Sequence, residues 1–309
     1  MSPPPVRAVF LGTPAAAVSS LASLATVADV VAVITRPDKP RGRSAQPVPS
    51  PVKEAAARLG LSIHQPANAS ELTDALAAMG PIDVGVVTAY GNLIRPAALA
   101  IPSRGFLNVH FSLLPRWRGA SPVVAALLAG DEETGVSVMH LDEGLDTGPV
   151  VAARTVVIGR DETGGELTAR LGALGAELLI EVLAGWVSGA LVATSQSGLG
   201  VSQAPKLTKS DLSLDPREPA QQLIRRIQAL APSPGAVLAL GDGHVRVLAG
   251  RRIARNLPAG QMSMIDDQVL VATGDGALEL LIVQPPGKRP MPAAAWLRGL
   301  RTLPIVASP

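Results

Sequence analysis

Two signals alternate through the first half of the chain, and together they leave few folds open. Val6–Gly12 is an unbroken apolar run, the pattern of a strand buried on both faces. Thr13-Pro14 follows, a capping side chain and a proline at the first helical position, and predicts a helix to about Val27. Asp29–Thr35 reads as the next strand. Ser50-Pro51 repeats the cap-and-proline signal ahead of a helix that ends near Gly60. Ser70–Met79 and Ala120–Ala129 read as helices, and Ile82–Thr88, Phe106–Val109 and Val136–Leu141 as strands. Glu166–Trp186 reads as a long closing helix. This alternation predicts an α/β fold with a Rossmann-like parallel sheet covered by helices.

The length of 309 residues allows one large or two ordinary domains. From Leu191 to Leu214 the composition turns to Ser, Gln, Gly and Thr, and reads as a linker. Beyond it come one helical segment, Ala220–Leu230, and short strand-like runs at Ala236–Leu240, Val245–Ala249, Val269–Thr273 and Leu278–Val283. Strands at this spacing predict a smaller β-barrel, OB-like in type. The expected division is a catalytic domain over 1–190, a linker over 191–208 and a C-terminal domain over 209–309.

Aromatic residues make up only 2% of the chain against 47% hydrophobic, so the core must be built from Ala, Val and Leu. The same scarcity argues against a stacking platform for single-stranded nucleic acid. The absence of cysteine removes disulfides, thiolate nucleophiles and cysteine-held metals. No basic segment followed by a long apolar one opens the chain, and no apolar run approaches a membrane span in length. The expectation is a cytoplasmic protein with no membrane partner. Residues 1–205 carry 14 Lys and Arg against 17 Asp and Glu, whereas residues 206–309 carry 13 against 8. A basic C-terminal part on a slightly acidic body suggests a polyanionic partner.

Asn108 and His110 stand where a predicted strand ends, and Asp146 lies in the loop after another. In open parallel sheets, ligands bind outside the carboxyl ends of the strands. An amide there can stabilise an oxyanion, an imidazole can donate to it or move a proton, and a carboxylate can fix the imidazole or accept a proton. Such a set serves acyl transfer to an amine without a covalent enzyme intermediate. His64, His140 and His244 show no ligand spacing, and no metal is expected. Asp142 reads as a turn residue. Gly12-Thr13-Pro14 lacks the full Gly-x-Gly-x-x-Gly of a dinucleotide site.

These residues resemble the folate-dependent formyltransferases. The pattern Asn-x-His-x-Ser-Leu-Leu-Pro is met by Asn108, His110 and Ser112-Leu113-Leu114-Pro115. The later Asp-x-Gly-x-Asp-Thr-Gly is met by Asp142, Gly144 and Asp146-Thr147-Gly148. The loop Thr35-Arg36-Pro37-Asp38-Lys39-Pro40-Arg41-Gly42-Arg43, Tyr90-Gly91 and Arg116-Trp117-Arg118-Gly119 are similar to the tRNA-specific branch, as are Val271–Gly276 and Gln284-Pro285 near the C-terminus.

The resemblance implies transfer of the formyl group of 10-formyltetrahydrofolate, as co-substrate, to the α-amino group of methionine esterified to initiator tRNA. By position it makes Asn108, His110 and Asp146 catalytic. It assigns folate contact to Ser112, Leu113, Leu114, Pro115, Tyr90 and Gly91, and tRNA contact to Arg43, Arg41, Lys39, Lys206 and Lys209. A monomer is expected, with the C-terminal domain on tRNA. Phe111 stands where many relatives have glycine, and its ring either lines the pocket or enters the core. Two other readings remain: a formyltransferase acting on a small amine, such as a nucleotide sugar or glycinamide ribonucleotide, and a catalytically silent RNA-binding protein. The first leaves the basic loop unexplained, and the second leaves the intact Asn108, His110 and Asp146 unexplained.

Overall fold

The structure is a computed structural model, described over residues 5–40, 46–241, 243–255, 257, 261–300 and 306. The chain forms two compact units. One takes the chain up to Pro122, Glu133–Val157 and Thr168–Ala204; the other takes Val123–Glu132, Ile158–Leu167 and the chain from Pro205 onward.

The strands of the first unit are β1 (Val6–Gly12), β2 (Ala28–Ile34), β3 (Lys39–Pro40), β4 (Pro47–Val48), β5 (Ile63–His64), β6 (Val84–Thr88), β7 (Phe106–His110), β8 (Glu133–His140) and β9 (Val150–Val157). The helices up to the long closing one are α1 (Val18–Val27), α2 (Pro51–Arg58), α3 (Ala69–Ala78), α4 (Pro96–Leu99), α5 (Pro122–Ala129), which from Val123 on belongs to the second unit, and α6 (Gly164–Ser188), whose residues from Thr168 on belong to the first. The main sheet runs β5-β2-β1-β6-β7-β8-β9. Every side chain of β6 and β7 is buried, which is why those runs are continuously apolar rather than alternating.

The sheet is parallel from β5 to β7, but β8 and β9 run antiparallel to their neighbours. Hydrophobic patterning does not carry strand direction, so the expected parallel sheet becomes a mixed one. β9, to which the sequence reading assigned no element, is an edge strand whose residues alternate between half-buried and exposed over its second half. Thr13 does not cap a helix. A short 3-10 turn at Ala15–Ala17 precedes α1, and the Thr13 hydroxyl donates instead to the Tyr90 carbonyl at 3.0 Å. Ser50 does cap α2, accepting from the Lys53 N–H at 3.1 Å, with Pro51 in the first turn.

By length and composition α6 could cross a membrane, contrary to the expectation that no segment could. Its apolar face is used otherwise: Leu171, Leu178, Leu179 and Leu183 are buried. Its Glu181 pairs with Arg154 of β9 at 2.6 Å. The stretch read as a linker also departs from expectation. Up to Ala204 it lies along the first unit, with Thr194 bridging Val150 and Gln203 bridging Arg118.

The second unit holds β10 (Ser213–Leu214), α7 (Ala220–Leu230), β11 (Ala236–Leu240), β12 (Gly243–Ile253), β13 (Met262–Ile265), β14 (Gln268–Thr273), β15 (Gly276–Gln284), β16 (Met291–Pro292) and α8 (Ala293–Arg298). Its strands run β10-β11-β12-β15-β14-β13, antiparallel except at β10–β11. Among the described residues these strands form a mostly antiparallel β domain. Leu223, Ile224, Ile227 and Leu230 of α7 enter a core with Val247, Leu278, Leu280 and Trp296. That spacing is one face of a helix.

Candidate active site

Period-two alternation along β7 sorts the site. Val109 and Phe111 point to the side of α6: a Cβ on Gly175 would come 2.5 Å from Val109 Cγ1 and 3.7 Å from the Phe111 ring. Asn108 and His110 therefore face the opposite way, into a cleft of ≈ 490 Å³. The loop after β6 supplies Tyr90, Gly91 and Leu93 to its wall, and the loop after β8 supplies Asp142, Leu145 and Asp146. Phe111 borders this cleft, but its ring belongs to the core.

The loop after β8 folds back across β7, so that one carboxylate meets three partners. Asp146 Oδ2 accepts the Gly119 N–H at 2.8 Å and lies 3.6 Å from His110 Nδ1. Asp146 Oδ1 lies 3.5 Å from Asn108 Nδ2, at the outer limit of a hydrogen bond. His110 and Asn108 are only 6% and 9% exposed.

The imidazole tautomer follows from its other contact. His110 Nε2 lies 3.0 Å from the Trp117 carbonyl oxygen, which can only accept. Nε2 therefore carries a proton, and Nδ1 presents its lone pair toward the Asp146 carboxylate. Two acceptors, the Nδ1 lone pair and the Asp146 carboxylate, therefore face each other across 3.6 Å.

Among the described residues, five non-glycine residues have left-handed backbone: Ala89 (φ 48°), Trp117 (φ 60°) and Asp146 (φ 53°), with Asp266 and Asp267 elsewhere. The first three surround the cleft or carry groups that touch it. Residues held this way cost about 1–3 kcal/mol each, and they gather where geometry matters more than comfort. Gly119, at φ 121°, leaves no room for a side chain: a Cβ would lie 2.6 Å from the Ala204 carbonyl oxygen.

Ser112-Leu113-Leu114-Pro115, to which the resemblance assigned folate contact, is not brought to the cleft wall. Ser112 is fully buried and donates its hydroxyl to the Arg116 carbonyl at 2.6 Å. Ser137 Oγ donates to the Ser112 carbonyl at 2.8 Å and accepts from Leu114 N at 3.1 Å. These four residues form a braced turn that delivers Trp117 and Gly119. Tyr90 and Gly91 do line the cleft. Burial pushes the Tyr90 hydroxyl up, against the opposing effects of a hydrogen bond to Asn92 and the Arg36 charge, so it stays a neutral phenol.

Of the residues assigned to tRNA, Lys39, Lys206 and Lys209 are exposed, whereas Arg41 and Arg43 lie outside the described residues. Lys53, in the first turn of α2, is engaged. Its Nζ donates to Asp38 at 2.5 Å and to Gln65 at 2.7 Å. Asp142 acts as the turn residue expected of it, accepting from Gly144 N at 3.1 Å and from the Thr147 hydroxyl at 2.8 Å. His140 packs on the Trp186 ring with centroids 5.2 Å apart, and burial pushes its pKa down against the pull of Asp142.

Sequence reading missed Gln196 and Ser202, which contact the main chain of the site from the supposed linker. Their composition is that of any surface segment, and no local pattern separates them. In the second unit, His244 and Arg246 border a polar groove of ≈ 210 Å³ with Gln284 and Gly287.

Residues 7–183 match the family model "Formyl transferase", and residues 206–301 match "Formyl transferase, C-terminal domain". The methionyl-tRNA formyltransferase of Halorhodospira halophila is 48% identical over 96% of this chain and 97% of its own. Among solved structures, a HypX variant from Aquifex aeolicus shares the fold with a TM-score of 0.69 at 17% identity. The match covers 96% of this chain but only 49% of that longer one. The Helicobacter canadensis N-formyltransferase in complex with folinic acid and dTDP-3-aminofucose matches with a TM-score of 0.68 at 16% identity, covering 89% of this chain and 98% of that one. The chain belongs to the methionyl-tRNA formyltransferase family of formyl transferases.

Proposed function

We propose that this chain transfers a formyl group from 10-formyltetrahydrofolate to the α-amino group of methionine on initiator methionyl-tRNA, for translation initiation, and that it does so as a cytoplasmic monomer. The observation that carries the reading is the single carboxylate of Asp146 set against His110, Asn108 and Gly119 inside a cleft of ≈ 490 Å³. That volume suits a small-molecule site, and its walls, Val87, Leu93, Ile94, Leu99 and Leu141, suit a flat apolar ring system.

When bound, 10-formyltetrahydrofolate supplies an activated formyl carbon. Asn108 holds its amide loosely against Asp146, so an Nδ2–H is available to the oxygen on which charge develops as the amine attacks. An α-amino group has a pKa of roughly 8, and so sheds a proton in order to react. Asp146 and His110 Nδ1 form the acceptor for that proton, with Gly119 N–H holding the carboxylate in place. That first proton is released to solvent, and a second, lost from the amine nitrogen once it has bonded to the formyl carbon, passes through the same pair to the folate nitrogen as the bond between that nitrogen and the formyl carbon breaks. Ser112–Pro115 act by shaping the wall rather than by touching the folate.

Lys39, Lys206 and Lys209, together with Arg41 and Arg43, neutralise tRNA phosphates in this reading. Arg246 and His244, exposed on β12, add a polar groove of suitable charge. The test offers purified protein 10-formyltetrahydrofolate with methionyl initiator tRNA, with an amino sugar nucleotide and with glycinamide ribonucleotide. Turnover of the tRNA alone is expected. Formylation of a small amine with no turnover of tRNA sinks the reading.

A further inference from the structure

Residues 191–204 supply no reacting group, yet they hold both segments that do. Gln196 donates from Nε2 to the main-chain oxygens of Asp146 at 2.8 Å and Gly148 at 2.7 Å. Its Oε1 accepts from Arg118 Nε at 3.0 Å and Nη2 at 2.7 Å. The amide cannot be turned over, because its oxygen faces a guanidinium and its nitrogen faces two carbonyls. Six residues on, Ser202 Oγ accepts the Trp117 N–H at 2.9 Å, and the Ser202 carbonyl accepts the Arg118 N–H at 2.9 Å. Ala204 N donates to the Arg118 carbonyl at 2.7 Å, and its own carbonyl accepts from Ser121 N at 3.1 Å. One strip of chain thus pins Trp117, whose carbonyl orients His110, and Asp146, whose carboxylate faces the same ring.

We propose that Gln196 is a positioning residue for formyl transfer. Asp146 sits at φ 53°, a conformation an aspartate leaves readily when nothing holds it. The two donors from Gln196 grip the carbonyls on either side of Thr147 and keep that bend. Rotation of the Asp146 backbone would swing its Cα–Cβ bond and carry the carboxylate off Gly119 N, His110 Nδ1 and Asn108 Nδ2 together. Gln196 is not among the residues lining the cleft, so it acts only through Asp146. The inference rests on the catalytic role given to Asp146 above.

Gln196→Ala, Gln196→Glu and Asp146→Asn decide it, made in the full chain and assayed with 10-formyltetrahydrofolate and methionyl initiator tRNA. Glutamate keeps the length and ties more firmly to Arg118, but it has no N–H for the two carbonyls. Displacing a reacting group by about 1 Å costs on the order of 10²-fold, so both Gln196 variants should lose about 10- to 100-fold in kcat. KM for both substrates should stay within about twofold. The glutamate variant should do no better than alanine while still folding cooperatively, and it decides alone if the alanine variant does not fold. Wild-type kcat in Gln196→Glu, or a raised KM with unchanged kcat, overturns the inference. With Asp146→Asn inactive, such a result sinks the positioning role alone. Asp146→Asn at the wild-type rate sinks the catalytic reading, and the inference with it.

Discussion

At the scale of residues, the site is a matter of which side of one strand a side chain occupies. Asn108 and His110 share the cleft face of β7, and Val109 and Phe111 share the face toward α6. Replacing Asn108 by Ala should lower kcat by about 10²–10³-fold, the usual cost of an oxyanion donor. His110→Ala should cost about 10²–10⁴-fold, read as kcat at saturating substrates. Phe111→Ala should act on stability instead. A buried ring lost from a core costs about 3–5 kcal/mol, so Tm falls while the KM for folate stays put. A raised folate KM at unchanged Tm would put the ring in the cleft after all. That Asn108, His110 and Asp146 meet in one place could be expected from the chain, because they stand in the order of two short motifs that resemble the formyltransferases. The direction of Phe111 could not, since its face depends on where β7 ends and what packs on it.

At the scale of elements, loops rather than strands decide the geometry. The turn Ser112–Pro115 is braced by Ser137, and Gly119 fits under Ala204 only because it lacks a side chain. The base of the loop that carries Lys39 is closed by a similar clamp. Asp38 accepts from Lys53 at 2.5 Å and from Gln65 at 2.8 Å, and Gln65 donates to the Arg36 carbonyl at 2.9 Å. The hydrogen bond from Lys53, joined by that from Gln65, holds the Asp38 carboxyl below its ordinary 3.8. A carboxylate with a lowered folded pKa adds stability above its unfolded value, and the gain is lost as pH falls through the folded one. The Tm of wild type should therefore exceed that of Asp38→Asn at neutral pH. The gap should narrow as pH drops below about 3.8. A gap independent of pH would mean that the clamp works by shape rather than charge. The Ser50 cap was legible, because capping is local. The Thr13 cap was misread, because a partner 77 positions away, the Tyr90 carbonyl, competes for its hydroxyl.

At the scale of the whole molecule, charge is divided between the two ends of the sequence. The excess of cations in residues 206–309 is a property of composition, and it argues for a polyanion before any contact is known. The double variant Lys206→Ala, Lys209→Ala should weaken tRNA use at every salt concentration. It should also reduce the slope of log KM against log salt by about 1–2. An unchanged slope with unchanged KM would remove both lysines from the tRNA surface. The folate KM should not move in either case.

Local features of this protein are written along the chain. Unbroken apolar runs made buried strands, and Ser50-Pro51 started a helix. The direction of β8 and β9, the brace of Gln196 and Ser202, and the tautomer that the Trp117 carbonyl imposes on His110 arise from contacts made on folding. The reason is physical. Burial and capping are written in neighbours a few positions apart, whereas a hydrogen bond between residues 50 or 85 positions apart leaves no pattern along the chain.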